Sequence, residues 1–352
     1  MTHPAEKLRV VVAAPISAEN CTLIVDLEPR LDLVVEHDLL PPMRHSADFS
    51  GDPGFRRTVE QQHRYESLVD SAEVLYGIPD VDPAALARTV AANAKLGWVH
   101  TMAAGGGGQV RAADLTDEQL ERVMFTTSAG IHGEPLAEFA VLGVFAGAKS
   151  LPRLNRQQRD HEWSGRWAMG QVSDQTVLVL GLGGIGRAVA RKLHALGATV
   201  IGTSRHDTAV DGVSLVVHPD EITDVLGRVD AIVAALPGTT TTEGFIGRDV
   251  LNAVRPGVTV VNVGRGTVID EAALVDALAD GRVGFAALDV FATEPLDTNS
   301  AFWDHPNVLV SPHTSALTDS EDRRIAELFA HNASRYLDGR ELVNRVNTVE
   351  FY

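Results

Sequence analysis

The five-residue apolar run Thr176 to Leu180 (TVLVL) ends in GLGGIG at Gly181 to Gly186 and passes straight into a helical pattern reaching about Leu196. Gly181 permits a tight turn, Gly183 lets the backbone approach a bound group, and Gly186 allows the helix to lie close to its strand. A helix start also carries unpaired N–H groups and a positive partial charge. Gly181, Gly183, Gly184, Ile185 and Gly186 therefore form a candidate site for a pyrophosphate, and a dinucleotide is the ligand that suits it.

The rest of the chain repeats the alternation. Leu8 to Ala14, Leu31 to Val35, Ala72 to Gly77 and Gly97 to Thr101 read as strands, and Ala18 to Leu27 and Pro83 to Asn93 as helices. Pro41 to Arg64 is polar, rich in Pro and Gly, and reads as a long loop with a short helix at its end. Leu136 to Ser150 is apolar almost all round, as in a helix buried between layers, and Asn155 to Gly170 reads as a surface connection. Strands follow at Thr199 to Gly202, Val213 to Val217, Asp230 to Leu236, Val258 to Gly264, Phe285 to Val290 and Asn307 to Val310. Glu271 to Ala279 is a helix with Asp270 as its N-cap, and Asp319 to Leu337 is an amphipathic helix expected to return to the first domain. Alternation of this kind predicts an α/β fold of two Rossmann-like or flavodoxin-like domains, each a parallel doubly wound sheet, with a cleft between them. The expected boundaries are 1–123 plus 318–352 for a substrate-binding domain and 124–317 for a dinucleotide-binding domain.

Composition narrows the partners. The 352 residues, 45% hydrophobic, suffice for two cores. A net charge of −17 argues against a nucleic-acid partner, since phosphate counterions are displaced by a basic face. An anionic substrate would need a local positive cluster. No run of about 18 apolar residues occurs, and the N-terminus lacks the pattern of a cleaved leader, so the expectation is a soluble, cytoplasmic protein without a membrane partner. The single cysteine, Cys21, sits in an apolar helical stretch suited to packing. No metal is expected.

In units of this kind an acidic residue about 20 positions past the glycine turn accepts bonds from the adenosine ribose of NAD. Here Thr203, Ser204, Arg205 and His206 stand there, with no carboxylate before Asp207. A hydroxyl and a guanidinium suit a 2′-phosphate. NADP(H) is thus the preferred cofactor, with NAD(H) possible.

Arg265, Glu294 and His313 each follow the end of a strand-like run, where open parallel sheets bind their ligands. With VLVLGLGGIGRAVA (Val177 to Ala190), VNVGRGTVIDEAAL (Val261 to Leu274), ALDVFATEPL (Ala287 to Leu296) and FWDHPNVLVSPHTSA (Phe302 to Ala316), the chain resembles the D-isomer-specific 2-hydroxyacid dehydrogenases over roughly Leu96 to Thr314. The resemblance implies a hydride transfer between NADP(H) and a small 2-oxo acid, in which His313 is the acid/base, Glu294 its partner, and Arg265 the group that binds and polarises the substrate. The chemistry of the residue types agrees. Hydride arriving at a ketone builds negative charge on oxygen, which an imidazolium can protonate and a guanidinium can stabilise.

The resemblance further implies that LGWVHTMAAGGGG (Leu96 to Gly108) holds the substrate carboxylate on backbone amides at Ala104, Gly105 and Gly106. It places Asp289 against the nicotinamide amide, and Pro237 and Thr242 (in ALPGTTTTEGFIG) and Val263 near the cofactor. Gly238 and Thr240 depart from the family's commoner leucine and proline. Tyr76, Met102 and Trp303 are open between lining the substrate and packing. A homodimer through the coenzyme domain is implied, with Leu136 to Ser150 as a candidate surface. Two alternatives stay open: a formate- or phosphite-type dehydrogenase, the formate version disfavoured by Glu294, and a dinucleotide-sensing regulator or corepressor of the same fold.

Overall fold

The computed structural model describes residues 7–206, 209–349 and 351. The chain divides into two compact units, Met1–His132 with Leu317–Tyr352, and Gly133–Ala316.

The first unit carries a five-stranded parallel sheet of β1 (Leu8–Val12), β2 (Leu31–Val34), β3 (Val74–Tyr76), β4 (Trp98–His100) and β5 (Met124–Thr126), in the order β2-β1-β3-β4-β5. That order is the flavodoxin-like one. Its helices are α1 (Ala18–Leu27), α2 (Val59–Val69), α3 (Pro83–Ala92), and the short α4 (Gly107–Ala112) and α5 (Asp117–Arg122). Apart from the edge strand β2, the strands are nearly all buried, as in a parallel sheet covered by helices on both faces, which is why they are continuous rather than alternating in apolar residues. Cys21 is partly buried on α1, and burial pushes its thiol up to about 11, as suits a packing residue.

The boundary expected at 123/124 falls nine residues later, after His132. Met124–Thr126 pairs with Trp98–His100 and completes the first sheet, but three residues are too few to show a strand period. The helix expected at the end of the long loop is also longer than the loop pattern indicated. Thr58 caps it in a reciprocal box with Gln61, and it runs eleven residues to Val69.

The second unit is a seven-stranded parallel sheet. Its strands are β6 (Thr176–Leu180), β7 (Thr199–Thr203), β8 (Leu215–Val217), β9 (Ala231–Ala234), β10 (Val258–Asn262), β11 (Val283–Leu288) and β12 (Val308–Val310), in the order β12-β11-β10-β9-β6-β7-β8. The strand order reverses between β6 and β9, and the glycine turn follows β6 at that switch. Helix α6 (Gly133–Ala148) lies so close to β10 that a Cβ on Gly147 would stand 2.0 Å from Thr259 Oγ1. After it comes α7 (Leu151–Arg159), whose residues LPRLNRQQR form no apolar stripe; none of them is buried, so the connection expected from Asn155 is helical for its first five positions. Then come α8 (Gly184–Ala195), α9 (Thr223–Leu226), α10 (Arg248–Ala253) and α11 (Glu271–Ala279), the last capped by Asp270 through Ala273 N–H.

The last helix, α12 (Glu321–Leu337), belongs to the first unit, as its amphipathic pattern implied. Phe329 stacks on Trp98 at 4.9 Å and meets Tyr76 edge-on at 5.0 Å, while Tyr336 also stacks on Trp98, at 5.7 Å. Beneath them Trp98 Nε1 donates to Thr126 Oγ1 at 2.8 Å, leaving that hydroxyl to donate to His100 Nδ1 at 2.8 Å. Burial pushes His100 down to about 3, so the ring is neutral and its Nε2–H faces Ser128 Oγ at 3.3 Å. Among the described residues no helix is long and apolar enough to cross a membrane.

Phe329→Ala should therefore empty the centre of the first unit and cost about 3–5 kcal/mol, as large aromatic truncations do. The urea midpoint of β4, read by hydrogen exchange, measures this. A change within about 0.5 kcal/mol, the range of surface substitutions, would show that α12 does not hold the first sheet together.

Candidate active site

The second unit gathers the expected chemistry at the carboxyl ends of its strands. Gly181, at φ +91°, turns the chain after β6, and its N–H donates to Thr203 Oγ1 at 2.9 Å. A Cβ on Gly186 would lie 1.8 Å from Gly181 O, so only glycine lets α8 start so close to its strand. Over Gly183 and Gly184 there is open space, and Gly183 caps α8 with no side chain to fill its free N–H groups. These features fit a dinucleotide pyrophosphate.

At the end of β7, Thr203 is buried, whereas Arg205 is exposed and Ser204 Oγ accepts from His206 N–H at 3.1 Å. Asp207 lies outside the described residues. In the loop after β9, Thr242 Oγ1 donates to Pro237 O at 2.6 Å and accepts from Thr239 N–H at 2.9 Å, so the hydroxyl shapes this loop. Val263 is buried among the core side chains at the end of β10.

Arg265 stands between two glycines that admit no side chain. A Cβ on Gly264 would meet Leu236 O at 2.5 Å, and one on Gly266 would meet Phe291 C at 1.8 Å. The fully buried Asn262 brackets the turn, its Nδ2 donating to Arg265 O at 3.0 Å and its Oδ1 accepting from Gly264 N–H at 3.0 Å. The sequence reading missed Asn262, although a lone amide closing the apolar run VTVVN was a signal. The Arg265 side chain is exposed, with Nη1 donating to Gly264 O at 2.8 Å, and among the described residues no carboxylate pairs with it.

Glu294 and His313 meet. Glu294 Oε1 accepts from Phe291 N–H at 2.9 Å, which turns Oε2 toward His313 Nδ1 at 2.7 Å. An ionised carboxylate only accepts, so Nδ1 carries the proton and Nε2 is the ring's working nitrogen. His313 is half exposed, its Nε2 has no partner among the described residues, and its backbone sits at φ +53°.

That left-handed backbone has a visible support. Asp289 is fully buried, and its Oδ1 accepts from Ser311 Oγ at 2.5 Å and from Thr314 and Ser315 N–H, both at 3.1 Å. Its Oδ2 accepts from Ser315 Oγ at 2.6 Å, and its carbonyl accepts His313 N–H at 2.9 Å. Both carboxylate oxygens are thus engaged within the chain, holding residues 311–315.

Residues 141–315 match the family model described as D-isomer specific 2-hydroxyacid dehydrogenase, NAD binding domain. The glyoxylate/hydroxypyruvate reductase B of Pectobacterium carotovorum is 32% identical over 219 residues, 61% of this chain and 68% of that one. The chain belongs to the D-isomer-specific 2-hydroxyacid dehydrogenase family. The D-3-phosphoglycerate dehydrogenase of Mycobacterium tuberculosis is 34% identical over 226 residues, 64% of this chain and 42% of that relative. The chain therefore spans less than half the length of the curated phosphoglycerate dehydrogenases it matches. A crystal structure of a D-isomer specific 2-hydroxyacid dehydrogenase from Xanthobacter autotrophicus, in complex with NADPH and MES, superposes with a TM-score of 0.77 at 27% identity, covering 99% of this chain and 100% of that one.

In this member of the 2-hydroxyacid dehydrogenases the glycine segment expected to hold a carboxylate belongs to the first unit. Ala104 and Gly105 are exposed between β4 and α4, and among the described residues their N–H groups have no acceptor. Gly106 is buried, where a Cβ would lie 1.8 Å from Thr101 Oγ1. Of the three residues left open, Tyr76 packs against Phe329, Met102 lines a cavity of the first unit, and Trp303 is half exposed with Nε1 donating to Asp297 O at 2.9 Å. Among the described residues no cluster of three or more His, Cys, Asp or Glu could hold a metal ion.

Proposed function

We propose that the chain is an NADP(H)-dependent oxidoreductase that reduces a small 2-oxo acid to the D-2-hydroxy acid. The observation that carries this reading is the Glu294–His313 pair at 2.7 Å, with Nε2 directed away from the carboxylate and unpartnered among the described residues. The bound cofactor would supply the hydride to the carbonyl carbon. His313 Nε2 then gives its proton to the carbonyl oxygen as the π pair moves onto it, and Glu294 stabilises the imidazolium before transfer. Arg265, paired with no carboxylate among the described residues, is suited to bind the 2-oxo acid and to stabilise the developing oxyanion. The unpartnered amides of Ala104 and Gly105 are suited to its carboxylate.

NADP(H) is favoured over NAD(H) by the exposed Arg205 and by the hydroxyl of Ser204 where an acidic residue would oppose a 2′-phosphate. The NADPH bound by the Xanthobacter relative agrees with this. The reading includes a cytoplasmic homodimer, for which the half-exposed Leu142 on α6 and the exposed Leu154 on α7 offer apolar surface.

Replacing His313 by Asn should lower kcat for 2-oxo acid reduction by on the order of 10² to 10⁴ with NADPH binding nearly unchanged, as fluorescence titration would show. A matching loss of NADPH affinity would instead make the histidine structural. For the cofactor, Ser204→Asp combined with Arg205→Ala should cut kcat/KM for NADPH by on the order of 10- to 150-fold and spare NADH. A wild type that already prefers NADH, or a ratio that the double substitution leaves unmoved, overturns the NADP(H) assignment.

A further inference from the structure

His100 is a fully buried imidazole for which the proposed reaction has no task. It sits within an unbroken line of hydrogen bonds whose direction is fixed at both ends. Trp98 Nε1–H can only donate, and it donates to Thr126 Oγ1 at 2.8 Å. Thr126 Oγ1 donates onward to His100 Nδ1 at 2.8 Å, so the neutral ring carries its hydrogen on Nε2 and donates to Ser128 Oγ at 3.3 Å. Ser128 Oγ then donates to Thr101 O at 3.2 Å, a carbonyl that can only accept. All five residues are fully buried. Each hydroxyl along the line accepts once and donates once, so removing one member leaves its neighbours with buried, unmet groups. The imidazole is also packed by ring contacts, with Trp98 at 6.3 Å and Phe329 at 5.7 Å between centroids.

The line ends on the segment that carries the exposed amides of Ala104 and Gly105. Ser128 holds that segment at two points, since besides the bond from its Oγ to Thr101 O its own N–H donates to Ala103 O at 3.4 Å. A trans peptide is planar, with its C=O and N–H pointing in opposite directions. A carbonyl of Ala103 drawn onto the buried Ser128 therefore turns the N–H of Ala104 outward. Ala103 O also accepts from Thr101 Oγ1 and from Gly106 N–H, both at 3.3 Å, which closes the turn on itself. Ser128 is fixed in its turn by Asn344, whose carbonyl accepts from Thr127 N–H at 3.0 Å and whose Nδ2 donates to Ala129 O at 2.6 Å. The outward amide is thus set by a buried serine, and the serine's hydroxyl by a buried histidine.

We propose that Ser128 and His100 are positioning residues that hold the Ala103–Ala104 peptide so that its N–H takes the substrate carboxylate. This rests on the 2-oxo acid reductase reading above and deepens it. The carboxylate takes no part in the electron movement, so it is bound alike in the ground and transition states, and disturbing its donors raises KM while kcat is nearly kept. The test follows NADPH-dependent reduction of glyoxylate, the smallest 2-oxo acid, in wild type, Ser128→Ala, His100→Leu and His100→Gln. In Ser128→Ala and His100→Leu the KM for glyoxylate should rise on the order of 10-fold with kcat within about twofold of wild type. His100→Gln keeps an N–H at the reach of Nε2 and should return KM toward the wild-type value. Ser128→Ala removes one oxygen and carries the comparison alone if the histidine variants fail to fold. An unchanged KM in Ser128→Ala, or a kcat that falls while KM stays, makes the line a purely structural one and overturns the proposal, leaving the reductase reading intact. If the wild type reduces no 2-oxo acid, the reductase reading fails, and calorimetric binding of oxalate decides the positioning role. Oxalate bound more weakly by Ser128→Ala than by wild type upholds it; equal binding, or none to the wild type, ends it.

Discussion

A single buried carboxylate organises the reactive end of the second sheet. Asp289 follows β11 with no exposed surface and, among the described residues, no cation beside it. Its charge is carried by two hydroxyls and two backbone N–H groups, all from residues 311–315. A carboxylate left in an apolar interior without such donors would cost several kcal/mol. The segment is therefore drawn onto Asp289, and the turn at His313 adopts φ +53°, a conformation uncommon for non-glycine residues that these bonds help to hold. From that turn the ring reaches Glu294, whose other oxygen is fixed by Phe291 N–H. The orientation of Nε2 is thus the outcome of two carboxylates, one buried and one at the surface.

Close backbone approach does the corresponding work for the other components. Gly264 and Gly266 flank Arg265 where a Cβ would collide with Leu236 and Phe291, so the guanidinium projects from a turn tied down on both sides and by Asn262. Gly186 performs the same service at the dinucleotide turn. These positions are rigid because neighbouring strands supply the backbone they touch, which is how loops after parallel strands can hold residues far apart in sequence.

Much of this was legible beforehand, for identifiable reasons. Long runs with one period, such as TVLVL before the glycine turn or EAALVDALA behind Asp270, report their own structure. Glu294 and His313 were paired through the family resemblance, and the 2.7 Å contact agrees with it. What stayed hidden was short, polar or non-local. The strand Met124–Thr126 has three residues, and α7 buries none of its side chains. His100 and Ser128 lie in WVHTM and TTSAG, 28 positions apart, and only the pairing of β4 with β5 brings them together. Asp289 was visible as a residue but not in its commitments, since four donors from the following strand end cannot be counted from spacing.

Asp289→Asn tests the account most directly, because an amide leaves one donor of the 311–315 segment facing another donor. If Asp289 serves by holding the His313 turn, kcat for 2-oxo acid reduction should fall on the order of 10- to 150-fold while the Kd for NADPH stays within about twofold. A variant that keeps its kcat but loses NADPH affinity would make Asp289 a cofactor contact and contradict the account.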